Sequence, residues 1–373
     1  MQPFSLYIHI PFCARKCAYC DFASYPGQEG RWEEYLAALN AELQKWAERL
    51  HGREIATIFI GGGTPSLLPA EAIETLMNDV RRLFAVAADA EISMEANPGT
   101  LTAEKLAVYK KTGINRLSLG VQSFDDGLLR ALGRIHTAED AREAVRLARE
   151  AGFENINLDL MYALPGQTTA QWKATLETSI ALGVEHISAY SLIVEDGTPM
   201  AARVESGEAI LPEDEAVIDM QHMAIDTLAA AGYARYEISN YAKSGRECRH
   251  NLVYWLRGDY LGVGCAAHSM LDNVRFENAW ALEEYLAGET ELDRHKLPVE
   301  EQKEEMIMLA TRTVRGLSLA EYKKSFGEDF ESAHAAALKP LIGGGLVKIE
   351  NGYLRLTRAG MEVQNAVVVE LLD

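Results

Sequence analysis

The feature that most constrains the fold is the alternation of short apolar runs with amphipathic segments through the first two-thirds of the chain. The apolar runs have strand length and many β-branched residues, whereas the segments between them have helical spacing. Strands that alternate with helices form parallel sheets with the helices outside. The unit recurs about six times, which predicts an α/β fold with an open, partial (β/α) barrel. The predicted strands are Ser5–Ile10, Ile55–Ile60, Glu91–Glu95, Asn115–Val121, Asn155–Met161 and His186–Ile193, and the predicted helices are near Trp32–Leu50, Pro69–Phe84, Ala103–Thr112, Ala138–Ala151 and Thr169–Leu182.

The pattern changes from about Pro298 onwards, where helices precede two strand-like runs. The runs Leu346–Glu350 and Tyr353–Leu356 are separated by Asn351-Gly352, which is a hairpin signal. These elements predict a winged-helix-like C-terminal domain, with helices at Glu300–Thr313, Leu319–Phe326 and Ser332–Gly343. We therefore expect three parts: a barrel core over residues 1–200, an extension of the barrel over 201–297 and the C-terminal domain over 298–373.

Three cysteines, Cys13, Cys17 and Cys20, follow the first predicted strand with the spacing C-x3-C-x2-C. Iron–sulfur cubanes are usually held by four thiolates. Three thiolates leave one iron open, much as a catalytic zinc site keeps one position open. The alternative is a zinc site with His9 or a distant cysteine as the fourth ligand, which paired C-x2-C arms or a Cys/His pattern would favour. Neither pattern accompanies these three cysteines.

The cysteine run, with Tyr19 before the third cysteine, resembles the signature of the radical-SAM superfamily. The resemblance implies a 4Fe–4S cluster whose open iron chelates S-adenosylmethionine. An electron from the cluster can then cleave that cofactor to a 5′-deoxyadenosyl radical, while the protein positions it.

Residues with chemical capability recur just after the predicted strands, which is where α/β barrels carry their sites. The glycine run Gly61–Gly63 permits close backbone approach, although a triple glycine alone is more often a plain turn. A doubly wound sheet is the alternative fold, and it would place ligands at one crevice rather than around a rim. The other strand-end motifs are Glu95-Ala-Asn97-Pro98, Gly120-Val-Gln122-Ser123-Phe124 and Asp159-Leu-Met-Tyr162.

Longer motifs resemble the anaerobic coproporphyrinogen dehydrogenase family over almost the whole chain. They are Tyr7-Ile-His-Ile-Pro-Phe-Cys13, Phe59-Ile-Gly-Gly-Gly-Thr-Pro-Ser66, Glu95-Ala-Asn-Pro98, Gly120-Val-Gln-Ser-Phe124, Asp159-Leu-Met-Tyr-Ala-Leu-Pro-Gly-Gln167 and Tyr236-Glu-Ile-Ser-Asn-Tyr-Ala242. The resemblance implies that S-adenosylmethionine is contacted by Tyr7, Tyr19, Gly62, Gly63, Thr64, Glu95, Gln122, Arg134 and Asp159. For each polar residue the alternative is a surface salt bridge or a strand-end cap.

Two branches of this family differ after the third cysteine. The dehydrogenase branch continues as C-x3-C-x2-C-x-C and usually carries a segment before the motif. Here Phe22 stands at the last position and Cys13 lies near the first residue, so the chain is more similar to the haem-chaperone branch. The run His250-Asn-Leu-Val-Tyr254-Trp255 matches a His-Asn-x-x-Tyr-Trp pattern that the resemblance associates with haem.

A histidine can be an axial haem ligand, and Tyr254 and Trp255 offer flat apolar faces. The alternative for His250 is a satisfied histidine beside a core aromatic pair. The glycine-rich segment from Arg257 to Ser269 is expected to be a loop that closes on the barrel, and its glycines indicate either a cofactor contact or a tight packing of backbone.

Composition limits the partners. The formal charge of −19 gives no clustered basic face for nucleic acid. No window reaches 18 apolar residues, so we expect no membrane span, and an odd count of five cysteines favours the reducing cytoplasm. The resemblance to the haem-chaperone branch implies a haem-binding chaperone that delivers haem to acceptor proteins. The alternatives are an oxygen-independent coproporphyrinogen III dehydrogenase and a radical enzyme with another substrate, so the sequence leaves open whether the protein is an enzyme.

Overall fold

The computed structural model describes residues 2–372. The six predicted barrel strands all form, and each pairs in parallel with the next one along the chain. A doubly wound sheet would reverse its strand order at a switch point, so this sequential order identifies a partial barrel. The strands are β1 (Phe4–Ile10), β2 (Glu54–Gly62), β3 (Ala85–Ala96), β4 (Arg116–Gln122), β5 (Ile156–Tyr162) and β6 (His186–Ser191).

An outer layer of helices covers these strands. Four of the helices begin at threonines whose hydroxyls accept a hydrogen bond from a backbone N–H three residues later, namely Thr102, Thr137, Thr168 and Thr198. Most of the apolar helix faces form one continuous core with the strands, whereas the short helices Asp126–Ala131 and Pro199–Glu205 pack in a smaller cluster with Ala18 and Tyr19. The helices are α1 (Trp32–Arg49), α2 (Ala70–Leu83), α3 (Ala103–Lys111), α4 (Asp126–Ala131), α5 (Ala138–Glu150), α6 (Thr169–Ala181), α7 (Pro199–Glu205) and α8 (Asp214–Ala230).

The sheet continues beyond the barrel at both edges. On the far side of β6 lie β8 (Asn240–Ala242) and β7 (Ala234–Arg235), both antiparallel. On the near side, β9 (Tyr260–Val263) pairs in parallel with β1. An antiparallel meander of β10 (His268–Leu271), β11 (Val274–Glu277) and β12 (Leu292–Lys296) follows it. Helix α9 (Arg249–Trp255) precedes β9, and α10 (Leu282–Leu286) lies between β11 and β12.

The expectation of a loop over the glycine-rich segment from Arg257 to Ser269 is therefore wrong, because the segment contains β9. A side chain at Gly262 would overlap the carbonyl oxygen of His268 on the neighbouring strand. The glycines thus reflect tight packing of backbone, which was one of the two expectations for them.

The C-terminal part has a small core of its own. Its three-stranded antiparallel sheet has the order β13 (Leu317–Ser318), β15 (Tyr353–Leu356) and β14 (Val347–Glu350). Asn351 and Gly352 have φ values of 53° and 77°, as a two-residue type I′ hairpin requires. The winged-helix-like fold is confirmed, whereas the boundaries at residues 200 and 297 stay predictions. The helices here are α11 (Val299–Ala310), α12 (Leu319–Phe326), α13 (Phe330–Ala333), α14 (Ala335–Gly343), α15 (Arg358–Glu362) and α16 (Gln364–Leu372).

Within residues 2–372, none of the helices combines the length and the apolar character needed to span a bilayer.

Candidate cofactor site

A cavity of about 380 Å³ lies at the carboxyl ends of the barrel strands. It is lined by all three motif cysteines and by most residues that the family resemblance assigned to S-adenosylmethionine, namely Tyr19, Gly62, Gly63, Thr64, Glu95, Gln122, Arg134 and Asp159. Tyr7 is the exception, because it lines the two neighbouring cavities instead. A groove of about 430 Å³ between α1 and α2 carries none of these residues.

The cysteine loop, which we define as residues 13–22, is hydrogen-bonded to the barrel at several points. The Ala18 N–H donates to the Leu132 carbonyl (3.0 Å), and the Met200 N–H donates to the Ala18 carbonyl (2.8 Å). The Sγ of Cys13 lies 3.5 Å from Oγ1 of Thr64. Burial raises the pKa of the Cys13 and Cys20 thiols. Metal ligands are thiolates, and burial disfavours their negative charge. A positively charged iron centre would offset this effect and stabilise the thiolates.

The donor set fits a cluster better than a zinc ion. Both ring nitrogens of His9 are engaged, Nδ1 with the Tyr7 hydroxyl and Nε2 with the Ala23 carbonyl, each at 2.9 Å. Cys248 and Cys265 are buried, and their Sγ atoms contact Glu91 and the Trp280 carbonyl respectively. Over residues 2–372, no three His, Cys, Asp or Glu side chains converge on a single ion. A cubane has a separate iron for each thiolate, so it does not need such convergence.

Arg134 connects the cysteine loop with two strand ends. Its Nη1 donates to Sγ of Cys17 (3.5 Å), and its Nη2 donates to Oδ1 of Asn97 (2.6 Å) and to the Gly120 carbonyl (2.5 Å). Among residues 2–372, the buried Nε atom has no hydrogen-bond partner. Arg134 is therefore no surface salt bridge, and it lines the cavity from the side of the cysteine loop.

The packing of the protein itself requires glycine at two positions of the glycine run, whether or not a ligand is bound. Gly62 has a φ of 108°, and a Cβ there would overlap the His9 imidazole. A Cβ on Gly63 would lie 2.6 Å from the Phe12 carbonyl oxygen. These two glycines allow the end of β2 to pack against the cysteine loop, where the Gly63 N–H donates to the Ile10 carbonyl (2.8 Å).

Two carboxyl groups, those of Glu95 and Asp159, line the cavity. Glu95 accepts the Gly62 N–H (3.0 Å), and Asp159 accepts from the Ser118 hydroxyl (2.9 Å) and the Asn157 amide (2.8 Å). Burial, together with the negative charge of Asp159, raises the pKa of Glu95 to about 8. A carboxyl group held in this way favours a cationic ligand, because a positive charge would stabilise its ionised form.

Gln122 ends β4 with a φ of 64°, which is the left-handed region that residues other than glycine rarely occupy. Its side chain is buried and lines the cavity. Backbone strain of this kind concentrates at ligand sites, so Gln122 is a stronger candidate for a ligand contact than its place at a strand end alone indicated.

The His250 segment lies apart from the cysteine cavity. His250 is 1% exposed, and its Nδ1 and Nε2 pair with the Thr57 hydroxyl (2.8 Å) and the Tyr254 hydroxyl (2.9 Å). Burial lowers its pKa to about 3. The side chain therefore matches the alternative of a satisfied core histidine, with no free nitrogen for iron in this conformation. The Arg312 guanidinium lies over the Trp255 ring, with its Cζ 4.6 Å from the ring centroid.

Sequence reasoning did not assign several residues that line the cavity, including Asn97, Ser118, Met161 and Tyr190. Asn97 lies two residues after Glu95 in a motif already singled out, so strand alternation could have found it. It also missed the buried Arg116, which lines an inner chamber of about 170 Å³ together with His250.

Comparison with known proteins agrees with this geometry. Residues 7–178 match the radical SAM superfamily, and residues 297–363 match the HemN C-terminal domain. A heme chaperone HemW from Bacillus subtilis is 39% identical over 369 residues, with 97% of each chain covered. The Escherichia coli heme chaperone HemW is 46% identical over 269 residues, covering 72% of this chain and 70% of the relative.

A solved structure gives the same result for the fold. The structure titled as coproporphyrinogen III oxidase (HemN) from Escherichia coli, a radical SAM enzyme, aligns with a TM-score of 0.87 and 27% identity. It covers 99% of this chain and 90% of that one. With end-to-end similarity above the level at which relatives share a family, the chain belongs to the HemW family of radical SAM proteins.

Proposed function

We propose that this protein is a haem chaperone, which binds haem and delivers it to acceptor proteins. The observation that carries the proposal is the similarity to heme chaperones over 97% of this chain and of its Bacillus subtilis relative. Similarity of this extent includes the cysteine loop, the barrel and the C-terminal part alike. It therefore supports a shared function more strongly than a shared barrel would.

The strand-end cavity is the proposed cofactor site. Cys13, Cys17 and Cys20 hold a 4Fe–4S cluster, which supplies electrons when bound. Glu95 and Asp159 hold the cationic and hydroxyl groups of S-adenosylmethionine, since they are half-buried carboxyl groups that line this cavity. Further contacts come from Tyr19, Gly62, Gly63, Thr64, Gln122 and Arg134, which line the same cavity. Tyr7 contacts the cofactor from the two neighbouring cavities that it lines.

We further propose that the protein works in the cytoplasm, where an acceptor protein takes the haem. Neither nucleic acid nor a membrane span belongs to this proposal. The formal charge of −19 supports leaving nucleic acid out, because phosphate backbones attract basic surfaces.

Titration of haem into the anaerobically reconstituted protein tests the proposal. We expect the Soret difference spectrum to saturate at one equivalent per chain, and the bound haem to pass to an excess of an apo-haemoprotein. Failure to saturate would contradict haem delivery.

A second function is favoured by the structural alignment with coproporphyrinogen III oxidase over 99% of this chain. Under this alternative the cavity would serve radical decarboxylation of porphyrinogen propionates. Incubation of the reduced, cluster-loaded protein with S-adenosylmethionine and coproporphyrinogen III separates the two functions. We expect no decarboxylated porphyrinogen, whereas stoichiometric 5′-deoxyadenosine with that product would establish the alternative.

A further inference from the structure

A second concavity of about 390 Å³ opens beside the cysteine loop, and we call it the lateral groove. Its walls come from four separate parts of the chain, the first of which is β1 with Tyr7 and His9. Phe22 comes from the cysteine loop, Tyr254 from α9, and Tyr260, His268 and Trp280 from the antiparallel meander and its flanks. Phe22 also lines the cofactor cavity, so the two sites share a wall.

Aromatic rings dominate this groove. Phe22 is 61% exposed and Trp280 is 58% exposed, although both are large apolar side chains. The rings of Tyr254 and Tyr260 meet edge to face, with centroids 4.7 Å apart. Single exposed apolar residues are ordinary, whereas several around one concavity indicate a ligand or partner. Flat rings around an open groove suit a flat, apolar macrocycle.

The groove also contains one exposed imidazole. The side chain of His268 is 62% exposed, and its Nδ1 lies 3.1 Å from Oε2 of Glu277. The two residues are direct cross-strand partners on β10 and β11. Within residues 2–372, Nε2 of His268 has no hydrogen-bond partner. Histidines that bind metals commonly place their second nitrogen on a carboxylate, which orients the ring.

His250 offers the opposite arrangement. Both of its nitrogens are engaged and its side chain is buried, as described above. Its segment still reaches the lateral groove, because His250 hydrogen-bonds the hydroxyl of Tyr254, whose ring forms part of the wall. The His-Asn-x-x-Tyr-Trp pattern can thus contribute to haem binding through Tyr254, without a bond from His250 to iron.

We propose that haem binds in the lateral groove, with Nε2 of His268 as the axial ligand of its iron and Glu277 as a positioning residue. Phe22 and Trp280 cover the macrocycle, and the open side leaves the propionates in water. The inference rests on the proposed haem-chaperone function and assigns its site. Histidine is a common proximal ligand of haem iron, and here it stands where haem can enter and leave without opening the barrel.

Haem titration of His268→Ala tests the site, with His295→Ala as the matched control. His295 is exposed on β12, which lies on the other side of β11 from His268, and its Nδ1 contacts the Asp293 carbonyl. We expect His268→Ala to weaken haem affinity by at least roughly 10-fold and to change the spectrum of the bound haem. His295→Ala should leave both unchanged. Added imidazole should restore the spectrum of a His268→Gly variant, which would show that the effect is ligation.

Glu277→Gln tests the positioning role. The substitution keeps the shape of the wall and removes the charge beside His268. We expect a smaller loss of affinity than for His268→Ala, together with an altered spectrum of the bound haem. A role of Glu277 in stability alone would leave that spectrum unchanged and would overturn its assignment.

The outcomes distinguish this site from the function on which it rests. Wild-type affinity and spectrum in His268→Ala, with tight binding by the native protein, would overturn the site while leaving the chaperone function intact. Absence of saturable binding by the native protein would instead overturn the chaperone function. Cluster absorbance and circular dichroism of each variant confirm that it is folded.

Discussion

The cofactor cavity and the lateral groove share Phe22 as a wall, yet they differ in polarity and in burial. In the cavity, Glu95 and Asp159 each accept hydrogen bonds from the protein, and Arg134 is anchored at three points. In the groove, Phe22, Trp280 and His268 are each more than half exposed. One site is polar and fixed, and the other is aromatic and open.

This difference matches two kinds of ligand. Groups that are fixed before binding lose little freedom when the ligand arrives, which favours tight retention of a resident cofactor. A delivered ligand has to leave, and an open wall lets an acceptor approach it. The two histidines repeat the contrast, because His250 is fully engaged in the interior and His268 keeps one nitrogen free at the surface. Four substitutions test whether the two sites are as independent as this contrast requires.

The largest effect is expected for Cys17→Ala. It removes one of three thiolates, so we expect complete loss of the visible absorbance of the cluster while the barrel stays folded, because the ligands lie on a loop. The matched control is Cys265→Ser, which keeps a donor for the Trp280 carbonyl near the groove. A full cluster in Cys17→Ala would refute the ligand assignment. Loss of haem binding in the same variant would show that the sites are not independent.

Glu95→Gln is expected to act on the cofactor cavity alone. The amide still accepts the Gly62 N–H but carries no charge. Loss of a charge-assisted bond costs about 1.5–3 kcal/mol, so the affinity for S-adenosylmethionine at pH 8 should fall roughly 10- to 100-fold. Equilibrium binding of S-adenosylmethionine measures this. Haem affinity should not change. An equal fall in the affinities for both ligands would contradict the proposal of separate sites.

The same substitution has a consequence for stability without ligands. The pKa of Glu95 is raised to about 8, so between about pH 4.5 and pH 8 the folded state keeps a proton that the unfolded state has released. Stability contributed by this group therefore falls as pH rises through that window. Urea unfolding of the cluster-free protein at pH 5 and pH 8 should show a smaller decline for Glu95→Gln than for the native protein.

Much of the barrel was predictable because its signals are local. Each strand is an apolar run of the right length, and each helix has its own periodicity. The barrel strands are confirmed to within a few residues at most ends, and in the C-terminal part the predicted helix Leu319–Phe326 and strand Tyr353–Leu356 are confirmed at both ends. The cysteines and strand-end motifs meet in one cavity because parallel strands end at the same edge of the barrel.

What the sequence did not show depends on contacts between distant segments. β9 joins β1 from about 250 residues away, and its glycines suggested a loop because local composition does not report pairing partners. The engaged state of His250 depends on Thr57 from β2, and Tyr7 lies outside the cavity because it points toward the barrel interior. His268 becomes a candidate only when β10 and β11 bring Glu277 beside it.

His250→Ala is expected to affect stability more than ligation. It removes two hydrogen bonds, one with Tyr254 and one with Thr57, whose hydroxyl still donates to Ser5. We expect a loss of about 2–3 kcal/mol in the free energy of unfolding. The spectrum of bound haem should stay that of the native protein, with affinity lowered only through the displaced Tyr254 ring. Loss of the axial-ligand spectrum in this variant, but not in His268→Ala, would place the iron at His250.

The smallest effect is expected for Phe22→Ala, which removes the wall that the two sites share. An aromatic contact contributes about 0.5–1.5 kcal/mol beyond its buried area, so haem affinity should fall at least roughly 2- to 10-fold. The affinity for S-adenosylmethionine is expected to fall less than the affinity for haem, since fixed polar groups supply most of its contacts in the cavity. Phe22→Leu, which keeps an apolar side chain, should recover part of the haem affinity. A larger loss for S-adenosylmethionine than for haem would mean that Phe22 belongs to the cofactor cavity, and the open aromatic groove would then lack its nearest wall.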